Sequence, residues 1–591
     1  MASSPQLRRS FLKVTMPRRL RSWFQTTFKR HGNAEDRKGS KDQEQSRPAP
    51  LLVLSTFTQH ISATTSTSSF PLPTSLPLPA APATGSADTE TSASVDNTKQ
   101  VENLYSKLPV SRSHIRLLQL LPSENEDAAI HCRLFCTPLD SKGTRPYEAL
   151  SYVWGSEAKP CSISINGCDL PIGENLYAAL LHLRDHSIER TIWIDAICIN
   201  QDDEEEKGHQ VQSMAKIYAK ASRVIVWLGE EAASSDQALE EIRIAAELSM
   251  LEEIRIAAKR DQAPEEIRIA AQRDQTPEEI RIAAELSTRQ LNNKAGILTL
   301  LQRSWFQRIW VLQEVAAARH ILIKCGSAEV DGFAFCSGLK ALNLSNELPA
   351  DLWAQILSVT YLIRGAIFRP KYVYATSQAD NFSLDIRPLG ELIEMYRARK
   401  ATKRCDKVYA LLGMSSDNPT AAGLFADYNI SWKQLFNKLI HFVLSELVSV
   451  NGLWDDKEIA IIEGKGCILG EVSSVTRNAT WEDRQDVAIT WSNAPSYICV
   501  KEAWGSCWTL PTTVKSVQEG DVVCLLQGAS RPTILRPYND YWAVIIIAVS
   551  PAGDSQATTK DIKWPELLQS TIVFSHNFRL EWDWDINPDK Q

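Results

Sequence analysis

A glutamate on an apolar helix face is the residue of this chain best placed for chemistry. Glu314 lies four residues after Trp310 and three after Val311, so the three side chains share one face of a helix. A carboxylate in such surroundings is desolvated, which raises its pKa, and it can stabilise a developing positive charge. The alternative is that Glu314 pairs with Arg303 or Arg308 and only fixes the helix.

Polar side chains at the end of an apolar run form a second candidate group. The run Thr191–Ile199 (TIWIDAICI) is almost continuously apolar, which predicts a strand buried on both faces. Asp195, Asn200 and Gln201 lie toward its carboxyl end, where open α/β sheets bind ligands. We therefore expect these three residues to line a binding site. The alternative for Asp195 is a carboxylate that caps a helix or fixes a loop.

Tryptophans accompany both groups. Trp154 and Gly155 end the predicted strand Tyr147–Trp154, which we expect beside the strand of Asp195, so that they form the floor of the pocket. Trp310 lies one helical turn before Glu314 and is expected at the same site. The alternative is that the large rings pack mainly in the core, namely those of Trp154, Trp193, Trp227, Trp305 and Trp310.

Neither a metal site nor a nucleic-acid partner is predicted. His182 and His186 lie four residues apart, but the sequence lacks the Glu of HExxH and a third ligand, so surface histidines are expected. Gly464–Gly470 only approximates a dinucleotide fingerprint, and neither a Walker A nor a GxSxG sequence occurs. The net charge of −7 gives no reason to expect nucleic acid.

The elements that must position these residues alternate between strands and helices. Asn166-Gly167 suits a type I′ turn and predicts a hairpin. Apolar residues at helical spacing mark one helix at 176–183 and a second at 211–221. The remaining strands are expected at His114–Leu121, Ala129–Phe135, Tyr147–Trp154, Thr191–Ile199 and Arg223–Leu228. This rhythm predicts an α/β fold with a parallel sheet flanked by helices.

Composition divides the chain into four regions. Residues 1–105 are basic at first and then rich in Ser, Thr and Pro, which predicts disorder because they bury too little apolar surface. Residues 106–335 form the α/β domain, with a repeat insertion at 236–287. A helical region is predicted at 336–455 and a β-rich region at 456–591.

The insertion carries an internal repeat. The heptapeptide EEIRIAA begins at Glu240, Glu252, Glu265 and Glu278, and prolines before the last two copies should divide the array into short helices. One interpretation is a partner-binding surface of variable length. The favoured interpretation is a tandem duplication that is tolerated in a surface loop.

An intracellular, cytoplasmic location is expected. The twelve cysteines contain no CxxC pair and are interpreted as reduced thiols, and no apolar run is long enough to cross a bilayer. Residues 1–34 contain basic residues but no Asp or Glu, so the alternative is a mitochondrial presequence or a membrane-surface segment. Pro17 interrupts any amphipathic helix there, which favours a solvated tail.

Three blocks in order resemble the signatures of the fungal heterokaryon incompatibility (HET) family. They are YEALSYVWG at 147–155, WIDAICINQD at 193–202 with its continuation to Gly229, and RSWFQRIWVLQE at 303–314, which runs on to 326. The chain departs from the family pattern at Ser304, where Pro is usual, and in the repeat that separates the second and third blocks.

HET domains are in turn similar to TIR domains, and this resemblance implies a role for Glu314. In TIR domains that cleave NAD, a Trp-Cys-x-x-Glu-Leu element carries the catalytic glutamate, and Trp310-Val-Leu-Gln-Glu314 stands in its place. By this resemblance Glu314 is the catalytic candidate. NAD is then the substrate rather than a resident cofactor, and Trp154, Gly155, Asp195, Asn200, Gln201 and Trp310 would bind it.

Two functions follow from the resemblance. The first is an effector of self/non-self recognition that triggers programmed cell death by cleaving NAD through Glu314. The second is a non-enzymatic, TIR-like signalling module that self-associates. Both imply homo-oligomers formed through the HET domain and an unidentified incompatibility partner protein.

Overall fold

The computed structural model describes residues 104–140, 145–258, 294–366, 382–454, 457–477, 484–494, 506–511, 515–549 and 572–584. All of them belong to one compact unit. The prediction of disorder for residues 1–105 thus falls almost wholly outside the described residues. Its boundary is wrong, because Leu104 and Tyr105 are buried and the Tyr105 hydroxyl donates to the Ile197 carbonyl at 2.9 Å.

The first sheet has nine strands and a parallel centre. Its strands are β1 (His114–Leu120), β2 (His131–Pro138), β3 (Glu148–Ser151), β4 (Cys161–Ile165), β5 (Cys168–Ile172), β6 (Arg190–Trp193), β7 (Arg223–Trp227), β8 (Ile321–Cys325) and β9 (Ala328–Asp331). They lie in the order β5-β4-β2-β1-β6-β3-β7-β8-β9. The central β6, β3, β7 and β8 pair in parallel, and the hairpins at the two edges are antiparallel. The predicted α/β class is confirmed, with a mixed rather than wholly parallel sheet.

Local sequence signals explain the elements around this centre. Asn166 and Gly167 have φ values of 53° and 82°, as the predicted type I′ hairpin between β4 and β5 requires. Helix α1 (Glu174–Leu183) buries its apolar stripe. A later helix, Glu204–Lys220, begins where the Asp203 side chain accepts hydrogen bonds from the Glu205 and Glu206 N–H groups.

The strand predicted at Thr191–Ile199 is wrong in its second half. Strand β6 ends at Trp193, and the chain turns into a short helix, α2 (Asp195–Cys198), before Glu204–Lys220 follows as α3. The Asp195 carboxylate accepts the Ala196 N–H at 2.8 Å and thereby supports the first turn. A continuously apolar run fits a buried helix as well as a buried strand, so the pattern alone could not separate them.

The first repeat copy belongs to the core. Helix α4 (Ser235–Ala258) contains the first two EEIRIAA copies, and Ile242 of the first copy is fully buried. A Cβ on Gly338 of α6 (Gly332–Leu342) would lie 2.0 Å from the Ile242 carbonyl oxygen, so the two helices pack backbone to backbone. The interpretation as a tolerated surface loop is therefore wrong for this copy. The copies that begin at Glu265 and Glu278 lie outside the described residues.

Helices and a second sheet complete the unit. The helices are α5 (Trp310–Ala317), α6, α7 (Ala350–Ala366), α8 (Leu389–Tyr396), α9 (Asp406–Leu412) and α10 (Trp432–Val443). The second sheet contains β10 (Ser449–Trp454), β11 (Lys457–Arg477), β12 (Arg484–Trp491), β13 (Cys507–Pro511), β14 (Val522–Leu526), β15 (Thr533–Pro537), β16 (Trp542–Ile546) and β17 (His576–Asp583). The helical middle and β-rich end are as predicted, although β10 begins before the expected boundary at 456.

One hydrophobic core runs from the first sheet through these helices to the second sheet. At the second junction, the Phe436 ring lies 5.3 Å from the Trp582 ring and 5.1 Å from the Trp584 ring, measured between centroids. Among the described helices, none has an apolar stretch sufficient to span a membrane.

Candidate functional site

The candidate site lies where β3 ends and α5 crosses it. Glu314 on α5 is only 2% exposed, and its carboxylate accepts a hydrogen bond from the Ser151 hydroxyl at the last residue of β3. The Trp305 indole N–H donates to the same hydroxyl oxygen at 2.9 Å. These three groups form one buried chain of hydrogen bonds that ends on a carboxylate.

Burial dominates the electrostatics of Glu314. Desolvation raises the pKa of its carboxyl to about 7, Asp195 adds to the rise, and Arg308 and the Ser151 hydrogen bond oppose it. Neither arginine considered as a partner forms an ion pair with it among the described contacts. Arg308 donates to the Tyr152 carbonyl, and Arg303 donates to the Leu228 carbonyl at 2.7 Å. The interpretation of Glu314 as one half of an arginine pair is therefore wrong.

Asp195 is the second carboxylate of the site. It is half-buried, and its side chain accepts hydrogen bonds from the Trp154 indole at 2.9 Å and from the Tyr152 hydroxyl. Burial raises the pKa of Asp195, whereas Arg308 lowers it. Because Asp195 also accepts the Ala196 N–H, it both fixes helix α2 and faces the site.

The other predicted residues divide between this site and its surroundings. Trp154 is 41% exposed, and Gly155 follows it with a φ of 80° and open space around it. The Gln201 side-chain amide donates to the Asp195 carbonyl at 2.9 Å. Trp310 is half-buried and hydrogen-bonds to Asp406 of the helical region.

Asn200 is not brought to the carboxylates. Its backbone N–H donates to Glu206 at 2.7 Å, and it lines a separate surface cavity of about 390 Å³ together with Arg116 and Glu206. Arg116 is buried, and its guanidinium binds both oxygens of the Glu206 carboxylate. Asn200 therefore belongs to the loop that the Arg116–Glu206 pair fixes.

Sequence reasoning missed Ser151 and Tyr152 as parts of the site, and it named Arg308 only as an ion-pair partner of Glu314. Ser151 and Tyr152 carried a signal, since they are two adjacent hydroxyl groups in the otherwise apolar stretch ALSYVW and need partners if buried. The acceptor of the Ser151 hydroxyl lies 163 residues away in the chain, which no local pattern reports. Among the described residues, no group of three or more His, Cys, Asp or Glu side chains converges as a metal site would require.

The geometry thus defines a buried, two-carboxylate site at the carboxyl edge of a parallel sheet, in a domain followed by helical and β-rich regions. Comparison with known families assigns this domain. Residues 147–314 match the model of the family described as heterokaryon incompatibility protein (HET), and the match ends on Glu314. This region of the chain therefore matches the HET domain, and the match covers 168 of the 591 residues.

One curated relative covers more than the domain. Heterokaryon incompatibility protein 6, OR allele, from Neurospora crassa is 28% identical over 369 residues, which is 57% of this chain and 52% of the relative. The aligned part therefore spans about half the length of the relative. No solved structure matches this chain.

Proposed function

We propose that this protein acts in heterokaryon incompatibility, as an effector that triggers programmed cell death in fungal self/non-self recognition. The HET domain and the name of the Neurospora crassa relative support this role. We propose further that the effector reaction is cleavage of the bond between nicotinamide and ribose in NAD. An incompatibility partner protein and self-association of the HET domain would then control when the reaction occurs.

The observation that carries the enzymatic proposal is the state of Glu314. Its carboxyl is buried without an ion pair among the described contacts, and its pKa is raised to about 7 although Arg308 opposes the rise. Groups with such perturbed pKa values concentrate at functional sites, and burying a carboxyl that has no ion pair destabilises the fold. Asp195 adds a second carboxyl whose pKa is raised.

The chemistry needs a negative charge beside the ribose. The bond between the nicotinamide nitrogen and ribose C1′ breaks, its electron pair leaves with nicotinamide, and the ribose becomes an oxocarbenium ion. Ionised Glu314 would stabilise that ion until water adds to C1′ and loses a proton. Substrate would enter beside Trp154 and Gly155, the exposed end of the site, and must open it, because Glu314 is 2% exposed.

A second function is favoured by that same low exposure. The hydrogen bond between Ser151 and Glu314 can fix α5 against β3 inside the core. The exposed Trp154 can serve as a contact in self-association. In this case the domain transmits an incompatibility signal by assembling and performs no reaction.

Replacement of Glu314 by Gln separates the two functions. Glu314→Gln preserves shape but removes the charge, so NAD turnover of the purified protein should fall about 100- to 1,000-fold, as for loss of a preorganised charge or donor. Nicotinamide release is the measurement. Death of cells that express the protein should also disappear, while the melting temperature is retained. Glu240→Gln, which removes a largely exposed carboxylate of α4, is the control and should leave turnover unchanged.

The enzymatic proposal fails under either of two results. In the first, Glu314→Gln with an unchanged melting temperature still kills cells. In the second, the oligomerised wild-type protein releases no nicotinamide. Either result leaves the signalling function, with Glu314 in a structural role.

A further inference from the structure

Helix α5 is attached to the helical region at its first residue. Trp310 begins α5, and its indole hydrogen-bonds to the carboxyl of Asp406, the first residue of α9. Asp406 is 8% exposed, and the Tyr428 hydroxyl donates to its Oδ1 at 2.9 Å. A buried carboxylate is therefore shared between the helix that carries Glu314 and a region beyond the HET family match, which ends at residue 314.

Charged groups enclose Asp406 without an ion pair to it among the described contacts. Lys207 of α3 and Lys403 place their ammonium groups 4.9 Å and 5.0 Å from the centroid of the Tyr428 ring. Lys403 is itself paired with Glu204 at 3.0 Å. Burial raises the pKa of Asp406, and the bonds from Tyr428 and Trp310, with the two lysines, oppose that rise. The Trp310 bond thus belongs to a polar cluster whose central carboxyl, that of Asp406, is buried, while the lysines at its edge reach solvent.

A second contact fixes the same helix beside Glu314. In the orientation that satisfies its partners, the Gln313 amide donates to the Ala410 carbonyl at 3.2 Å and accepts from the Ala215 N–H at 3.3 Å. A Cβ on Gly413 would lie 2.6 Å from that amide, so α9 can approach this closely only with glycine there. Helix α5 is wedged between α3 and α9, with little freedom to turn about its axis.

We propose that Asp406 is a positioning residue for Glu314 and acts through Trp310. The two residues of α5 are four apart and share a face, so a rotation of the helix that releases Trp310 also moves Glu314 away from Ser151. The helical region is then part of the catalytic unit, and a partner that binds it could change the site. The kinetic test of this inference rests on the proposed NAD reaction, whereas the hydrogen-exchange test does not.

The test uses the full chain with Asp406→Asn, which keeps the shape but weakens the bond from Trp310. Loosening α5 admits water to Glu314. Because desolvation is the largest cause of its raised pKa, this hydration outweighs the loss of the Ser151 hydrogen bond and lowers the pKa toward its ordinary value. The acid limb of the pH profile of kcat/KM for NAD should therefore shift to lower pH by about one unit. The kcat should fall about tenfold because the Glu314 carboxylate is misplaced. Trp310→Phe removes the same bond from the other side and should reproduce the shift. Asp417→Asn, whose carboxylate accepts the Leu389 N–H at 2.8 Å, is the matched control and should leave the limb in place.

Hydrogen exchange of α5 provides the readout that needs no activity. Amides of residues 310–317 should exchange faster in Asp406→Asn than in wild type, while those of β7 stay unchanged. The proposal is overturned if Asp406→Asn changes neither the acid limb nor the exchange of α5. It is also overturned if the variant is less stable but shows neither of these two changes. If wild type releases no nicotinamide, the NAD proposal fails, and the exchange data still decide the positioning role.

Discussion

Two glutamates with the same burial have different surroundings in two regions of this protein. Glu314 of the HET domain is 2% exposed, and Glu394 of α8, where the helical region meets the second sheet, is 1% exposed. Glu394 forms an ion pair with Arg397 at 3.3 Å, and its Oε1 accepts the Trp582 indole N–H at 3.2 Å and the Ile547 N–H at 3.3 Å. Glu314 accepts a hydrogen bond from Ser151 and forms no ion pair among the described contacts.

The two glutamates differ in the partners of their buried carboxylates. Glu394 has one cation and two N–H donors beside it, and these contacts join α8 to the second sheet. Glu314 lacks a paired cation, and burial therefore raises the pKa of its carboxyl to about 7. Burial alone does not mark a functional carboxylate. A buried carboxyl with no ion pair and a pKa near 7 is the kind of group that concentrates at functional sites.

The largest expected effect lies at the compensated site. Glu394→Gln leaves Arg397, which is 1% exposed, without a counter-ion, and should lower the free energy of unfolding by about 3–5 kcal/mol. Urea denaturation measures it. Glu240→Gln breaks the largely exposed pair with Arg243 and should change the free energy by less than about 1 kcal/mol. Adding Arg397→Met to Glu394→Gln should recover much of the loss, and a double variant as unstable as the single one would contradict the assignment.

A smaller effect is expected at Glu314, where the contribution to the unfolding free energy depends on pH. The folded-state pKa of Glu314, about 7, exceeds its unfolded value, so the folded protein holds the proton more tightly. This contribution to stability is fully present below the unfolded pKa, near 4.5, and is lost as pH rises through the folded pKa of about 7; the total loss is about 3 kcal/mol. The unfolding free energy of wild type should therefore fall relative to Glu314→Gln over that range. A pH-independent difference between the two proteins would show that Glu314 is compensated after all.

The smallest effect concerns the hydroxyl between Trp305 and Glu314. Ser151→Ala leaves the Trp305 indole without its acceptor and Glu314 without its donor, which should cost about 1–2 kcal/mol. The Ser151 bond lowers the pKa of Glu314. Its loss should therefore raise the pH at which the unfolding free energy begins to fall. Ser162→Ala, at an exposed position of β4, is the control and should change the unfolding free energy by less than about 0.5 kcal/mol. If that pH moves downward instead, the Ser151 hydroxyl does not donate to ionised Glu314.

The sequence by itself determined the local elements and the character of the central residue. Strand and helix periodicities, together with the Asn166-Gly167 turn, predicted the α/β domain, the hairpin and the order of regions, because these signals depend on neighbours within a few residues. The spacing of Trp310, Val311 and Glu314 predicted a desolvated carboxylate, since three residues of one short helix must share a face.

Only the tertiary structure decided what these elements touch. It brought Ser151 to Glu314, directed Arg303 and Arg308 to backbone carbonyls, and placed the first repeat copy in the core rather than on the surface. Each outcome depends on which distant segments pack together. A repeat copy can therefore lie in the core, and a glutamate on an apolar face can be paired or unpaired, according to contacts that the chain makes only after it has folded.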